Sequence, residues 1–148
     1  MNPEVSPRTR RRLAILLFGV AGLILAFWLA WYGHRSLVAA DHTEAYVAFE
    51  NAFPVADGWL ALLLILSGLG LLRRWPSTST WLFLAAGAGV YLFCMDVLYD
   101  LEQGIWTKGA NGLTELAINI LTISLSILVG GFAWRNREAL ASNSDSTR

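Results

Sequence analysis

Leu13–Tyr32 reads LAILLFGVAGLILAFWLAWY, twenty residues without a formal charge. The hydrocarbon core of a bilayer is about 30 Å thick, and about 20 helical residues cross it. No water is present there to satisfy backbone amides and carbonyls, so a run of this length must be helical. The stretch predicts a membrane span. Three further runs follow: Pro54–Leu72, interrupted only by Asp57; Trp81–Tyr99, carrying Asp96; and Leu113–Trp134, carrying Glu115 and Asn119. The expected spans are about 13–33, 54–72, 81–99 and 113–134, preceded by a basic segment 1–12 and followed by a tail 135–148.

Composition agrees with this reading. The chain of 148 residues is 55% apolar and only 15% charged, against about 25% charge in an ordinary soluble domain. Disordered, collagen-like and disulfide-framework classes fail on these numbers. A nucleic-acid partner is not expected, because the net charge is zero and no basic stripe appears.

The flanking charges predict orientation. Arg8, Arg10, Arg11, Arg12, Arg73, Arg74, Arg135, Arg137 and Arg148 fall on one side of the spans, and Arg35 and Lys108 on the other. By the positive-inside rule both termini are cytoplasmic. The acids run oppositely: Glu4, Glu138 and Asp145 lie inside, and Asp41, Glu44, Glu50, Asp57, Asp96, Asp100, Glu102 and Glu115 toward the outside. The zero net charge is thus a cancellation of about +6 against about −6. Trp28, Trp31 and Trp59 at the outer helix ends, with Trp81 and Trp134 at the inner ends, fit interfacial aromatic belts. Val38-Ala39-Ala40 resembles a signal-peptide cleavage site. Signal h-regions run about 7–15 residues, however, and this run is longer and ends in Trp28, Trp31 and Tyr32. An uncleaved span is the expectation.

Between the first two spans, Asp41-His42-Thr43-Glu44 reads as a helix start close to a capping box. Tyr46, Phe49 and Phe53 then recur at helical spacing, predicting a short amphipathic helix in the outer interface with its aromatic side down. Pro54 suits the first turn of the next span. Gly104–Gly112 is a turn-rich loop closed by Asn111-Gly112, and Arg73–Thr80 is a short hairpin connection. Ala85 with Gly89, Ser126 with Gly130, Gly19 with Gly22, and Gly68 with Gly70 are read as points of close helix approach. The predicted fold is an all-α integral membrane protein: a bundle of four transmembrane helices with cytoplasmic termini and one short outer interfacial helix.

Depth arithmetic points to the candidate site. Asp57, Asp96 and Asn119 each lie fifteen residues from the inner end of their span, roughly 22 Å along a helix axis. One turn further out come Asp100 and Glu115, each on the same helix face as its neighbour. Intramembrane acids are rare, face bundle interiors, and mark ion paths or ligand sites. The prediction is an acidic, outward-opening pocket between spans two, three and four, covered by residues 41–53. Asp96 is central, with Asp57, Asp100, Glu115 and Asn119 around it. The competing reading is that acids near helix ends snorkel to headgroups or cap a helix, as Asp57 does if it serves the start of its span.

Other chemistry finds little support. His34 and His42 lack an established metal spacing, and Cys94 stands alone without a CxxC companion. No P-loop, GxGxxG, HExxH or GxSxG occurs, and no cofactor is expected. The expected function is binding of a small cation, a proton or a lipid headgroup, or an accessory role in a membrane complex. A four-helix monomer is too small for an obvious water-filled channel, so transport requires an oligomer or partner. The alternatives are a small membrane enzyme acting on a lipid or isoprenoid-like substrate, with Asp96 and Glu115 as paired acid and base, and a purely structural subunit.

Two stretches, Phe49–Trp59 (FENAFPVADGW) and Met95–Glu102 (MDVLYDLE) with Gly104, resemble small bacterial four-helix inner-membrane proteins. The resemblance implies the architecture and the membrane, and it brings no activity. Sterol-isomerase-like membrane families line a helical cavity with His, Glu, Asp and Trp, but here His34 lies at a membrane edge and the spacing differs. No catalytic residue is carried over from them.

Overall fold

The structure is a computed structural model that describes residues 5–141; Glu4, Asp145 and Arg148 of the charge count lie outside the described residues. Among the described residues all regular structure is helical. The long helices are α1 (Pro7–His34), α3 (Pro54–Arg73), α4 (Thr78–Gln103) and α5 (Gly109–Ala141), with the short α2 (Glu44–Glu50) between the first two. The four long helices are long and apolar enough to cross a membrane. Their outward faces carry large apolar side chains such as Leu23, Leu29, Leu121 and Ile127. Contiguous exposure of this kind marks a surface that meets something other than water.

Each boundary has a local cause. Ser6 caps α1, accepting from the Thr9 amide, and Pro7 occupies the first turn, where its missing N–H is no loss. Pro54 does the same for α3. That helix ends at Arg74, which adopts the left-handed conformation (φ 56°) before Pro76 prevents continuation. Gly104 (φ 60°) closes α4 in the conformation that favours glycine. Asn111 and Gly112 fall inside the first turns of α5 rather than closing the preceding loop. Gly112 abuts the carbonyl of Ile105, and a side chain there would not fit.

In sequence order along the layer, α1 packs on α3, α3 on α4, and α4 on α5. Leu17, Leu63, Leu64, Leu71, Leu82, Val129 and Ala133 form the buried apolar centre. In lipid the association of helices depends on close packing more than on expelling water, and small residues supply it. A Cβ on Gly89 would collide with Ser126 Oγ, one on Gly68 would lie 2.7 Å from the Phe18 ring, and one on Gly70 would lie 2.8 Å from Thr78 Oγ1. Gly130 faces Ala86. Gly19 and Gly22 have open space around them, so the expected close approach on α1 does not occur at these positions.

The Gly89–Ser126 contact sets the register of α4 against α5. Seven residues further along each helix, toward the end that carries α2, lie Asp96 and Asn119. The backbones therefore hold these two at one level, as the depth count anticipates.

Candidate functional site

The acidic end of the helices carries a network built from both polar and aromatic side chains. Thr43, rather than Asp41, is the N-cap of α2, its hydroxyl accepting from the Tyr46 amide at 3.4 Å. Asp41 instead folds back on the amides of His42 and Thr43 at 2.6 and 3.3 Å. It also pairs with Lys108 Nζ at 2.5 Å. The Lys108 ammonium, then the His42 amide, hold the Asp41 carboxyl down at about 2. On the same side Asn111 Nδ2 donates to the Ala39 carbonyl at 2.8 Å. Together these contacts tie the α1–α2 connection to the start of α5.

So tethered, α2 sends its side chains inward. Tyr46 is fully buried. Its hydroxyl receives a bond from the Ala40 amide at 3.2 Å and donates to Glu115 Oε1 at 3.0 Å. Its ring lies beside those of Trp31 and Tyr99, and Phe49 stacks on Tyr99 with centroids 3.8 Å apart. The aromatic side of α2 thus seats against the helices, and α2 touches them through side chains rather than by close backbone approach.

Glu115 is one of five carboxyl groups gathered here. Asp57 Oδ2 accepts from the Trp28 indole at 2.9 Å. Asp100 Oδ2 accepts from the Trp106 indole and from Asn119 Nδ2, both at 2.8 Å. Asp96 lies within electrostatic reach of Asp57, Asp100 and Glu115. Glu50, from α2, lies within reach of Glu115, Asp96 and Asp100. All five sequence-predicted residues are accordingly brought to one end of the molecule.

The Asp100–Asn119 bond joins residues one helical turn apart in level. Side chains on a helix lean toward its N-terminus. Asp100 on α4 therefore leans toward the α4 N-terminus and Asn119 on the antiparallel α5 toward the α5 N-terminus, which closes the diagonal.

Two kinds of residue in the cluster are placed otherwise by the sequence reading, Glu50 as an outer acid apart from the site and Trp28 and Trp31 as belt residues. Glu50 belongs with the acids although it lies on the short helix, because it follows Tyr46 by four residues and so shares the face that α2 turns toward the bundle. Trp28 and Trp31 do not anchor an interfacial belt: they are 8% and 1% exposed, and their indole N–H groups serve Asp57 and Asn51. A signal for them exists in Ala14, Leu17, Ala21, Trp28 and Trp31, which share one face at intervals of three, four and seven residues and are all buried. Trp59 and Trp134 do remain exposed.

Three features define what the cluster lacks. Every hydrogen bond to these carboxylates comes from a neutral donor, and no lysine or arginine forms an ion pair with any of the five among the described residues. Asp96 receives no hydrogen bond from any described residue. The amide oxygen of Asn119, whose side chain is almost wholly buried, has no donor. Among the described residues no three of His, Cys, Asp and Glu converge closely enough to hold a metal ion.

A recess lies on the lateral seam of α3 and α4. It is an open apolar groove of about 460 Å³ lined by Ala56, Trp59, Phe83, Leu84, Gly87, Ala88, Tyr91 and Leu92. No family model, curated protein or solved structure matches the chain.

Proposed function

We propose that this is a multi-pass membrane protein whose acidic end binds a small cation, a proton or a cationic headgroup, with Asp96 as the central group. The observation that carries the reading is the imbalance of the cluster: among the described residues, five carboxyl groups, neutral donors only, and no hydrogen-bond or ion-pair partner for Asp96. Bringing carboxylates out of water is costly unless positive charge or protons accompany them. The orphan amide oxygen of Asn119 adds an acceptor that also wants a positive or hydrogen-bonding partner. The enzyme alternative needs a closed apolar chamber below the acids, and the groove on the α3–α4 seam is open and lateral.

Titration of the purified protein with ethylammonium, in a neutral detergent, tests the proposal. The wild type should be stabilised saturably, and less so at lower pH, where protons compete for the same carboxylates. Asp96→Asn should lose the effect. An Asp96→Leu protein as stable and as responsive as the wild type would overturn the reading.

The proposed setting is a bacterial inner membrane with both termini in the cytoplasm, the acids and α2 facing outward, and lipid against the exposed apolar faces. Arg8, Arg11, Arg12, Arg73, Arg74, Arg135 and Arg137 at one end support this orientation. Single cysteines introduced as Ser77→Cys and Lys108→Cys in a Cys94→Ser background test it. Position 108 should label from outside, and outside labelling of position 77 would reverse the topology.

A further inference from the structure

The groove on the α3–α4 seam and the acids above it are parts of one continuous surface. Leu84, Ala88 and Leu92 line the groove at intervals of four residues, and the next position in that series is Asp96. On the opposite wall Ala56 lines the groove and Asp57 is its neighbour in sequence. Asp57 lies within electrostatic reach of Asp96, and its Oδ2 accepts from the Trp28 indole of α1. The groove thus leads, one helical turn along α4, to the Asp96 carboxyl, which is partly accessible and receives no hydrogen bond from any described residue. Trp59 and Tyr91 flank it, both well exposed, and aromatic faces attract cations. Gly87 forms part of the floor, and the space around it is open. The volume falls within the roughly 300–1,000 Å³ common for small-molecule sites.

We propose that this surface binds a single-chain amphiphile with a primary ammonium head: the alkyl chain lies in the groove and the ammonium reaches Asp96 and Asp57. This deepens the preceding proposal and rests on it for the head, while the tail site is new. A primary ammonium supplies three donors and a positive charge, which is what Asp96 lacks. The direction also fits a bilayer, where a lipid of the acidic-side leaflet has its head toward the water and its chain toward the midplane. A phospholipid amine fits less well, because its phosphate would need a cation. Lys108 is engaged with Asp41, and the Arg35 guanidinium lies over the Trp31 ring with its Nε buried and without an acceptor among the described residues.

Binding of labelled dodecylamine to the full chain in a neutral maltoside detergent tests this. Ethylammonium serves as the head-only probe, with dodecanol, dodecanoate and phosphatidylethanolamine as comparators. Dodecylamine should bind more tightly than ethylammonium, and the neutral and anionic chains should not compete. Asp96→Asn should weaken both amines about tenfold or more, since a hydrogen bond to a charged group is lost. Gly87→Leu, whose Cβ meets open space and whose folded yield is checked alongside, should weaken dodecylamine about threefold or more and spare ethylammonium.

If Gly87→Leu leaves dodecylamine affinity unchanged while Asp96→Asn abolishes it, the tail site is wrong and the acidic site survives. If neither amine binds, both proposals fall. Equal binding of phosphatidylethanolamine overturns the assignment of a phosphate-free head. A Gly87→Leu change in oligomeric state in place of amine affinity gives the groove to a second copy, which also overturns it.

Discussion

The two ends of the same four helices are held together by opposite means. Toward the basic end, backbones approach over small residues: Gly68 under Phe18, Gly70 under Thr78, and Gly89 against Ser126 farther along. Little polar chemistry is needed there. Toward the acidic end, contact is made by long side chains: indoles donating to carboxylates, a tyrosine reaching from α2 to α5, and rings stacked between them. The difference teaches what each end is suited for. Close-packed glycine seams fix geometry, whereas a network of long side chains around unneutralised acids leaves chemistry available for a ligand.

The largest effect should come from Trp31→Ala. Trp31 is fully buried, donates to Asn51 and lies against Phe27 and Tyr46. Its removal should cost about 3–5 kcal/mol, with α2 released first, as read by hydrogen exchange across residues 44–50 alongside denaturant unfolding in detergent. Gly89→Val should cost about 1–3 kcal/mol by overpacking yet leave α2 protected. If that variant frees α2 as fully as Trp31→Ala does, the two ends are not separately organised.

Tyr46→Phe keeps the ring and deletes one hydroxyl. Interhelical side-chain hydrogen bonds in membranes average only about 0.6 kcal/mol, so a loss of about 0.5–1.5 kcal/mol is expected. The cleaner readout is faster exchange of the Ala40 amide, which bonds that hydroxyl.

The smallest effect concerns the exposed Asp41–Lys108 pair. The Asp41 carboxyl is depressed to about 2 in the folded protein, and about 3.9 is usual for a free aspartate. A depressed acid contributes stability that is complete above the unfolded value and is lost as pH falls through the folded one. The tether should therefore loosen between about pH 4 and about pH 2, and high salt should weaken it. Lys108→Ala should return Asp41 toward its ordinary value, measured by NMR titration of the carboxyl carbon. An unchanged Asp41 titration would remove Lys108 from the tether.

Most of the fold was legible in the sequence because lipid imposes one dominant rule, unbroken apolar runs of fixed length, and Leu13–Tyr32 obeys it without exception. The level of Asp96 and Asn119 was legible too, since helical rise is constant. Side-chain direction was not. Trp28 and Trp31 sit where interfacial tryptophans usually sit, and only their packing turns them inward to serve Asp57 and Asn51. Glu50 was open to the helical arithmetic, since it lies four residues after the buried Tyr46 and shares its face; only its charge suggested the solvent side. Gly19 and Gly22 show the converse, small residues at packing spacing that meet nothing.

The central claim is that the acidic end awaits a positive partner and that Asp96 is where that partner binds. Ethylammonium titration of the wild type and of Asp96→Leu, at matched folded yield, tests it most directly. Saturable stabilisation of the wild type that disappears in Asp96→Leu is the predicted result. Equal responses from the two proteins, or none from the wild type, would contradict the claim.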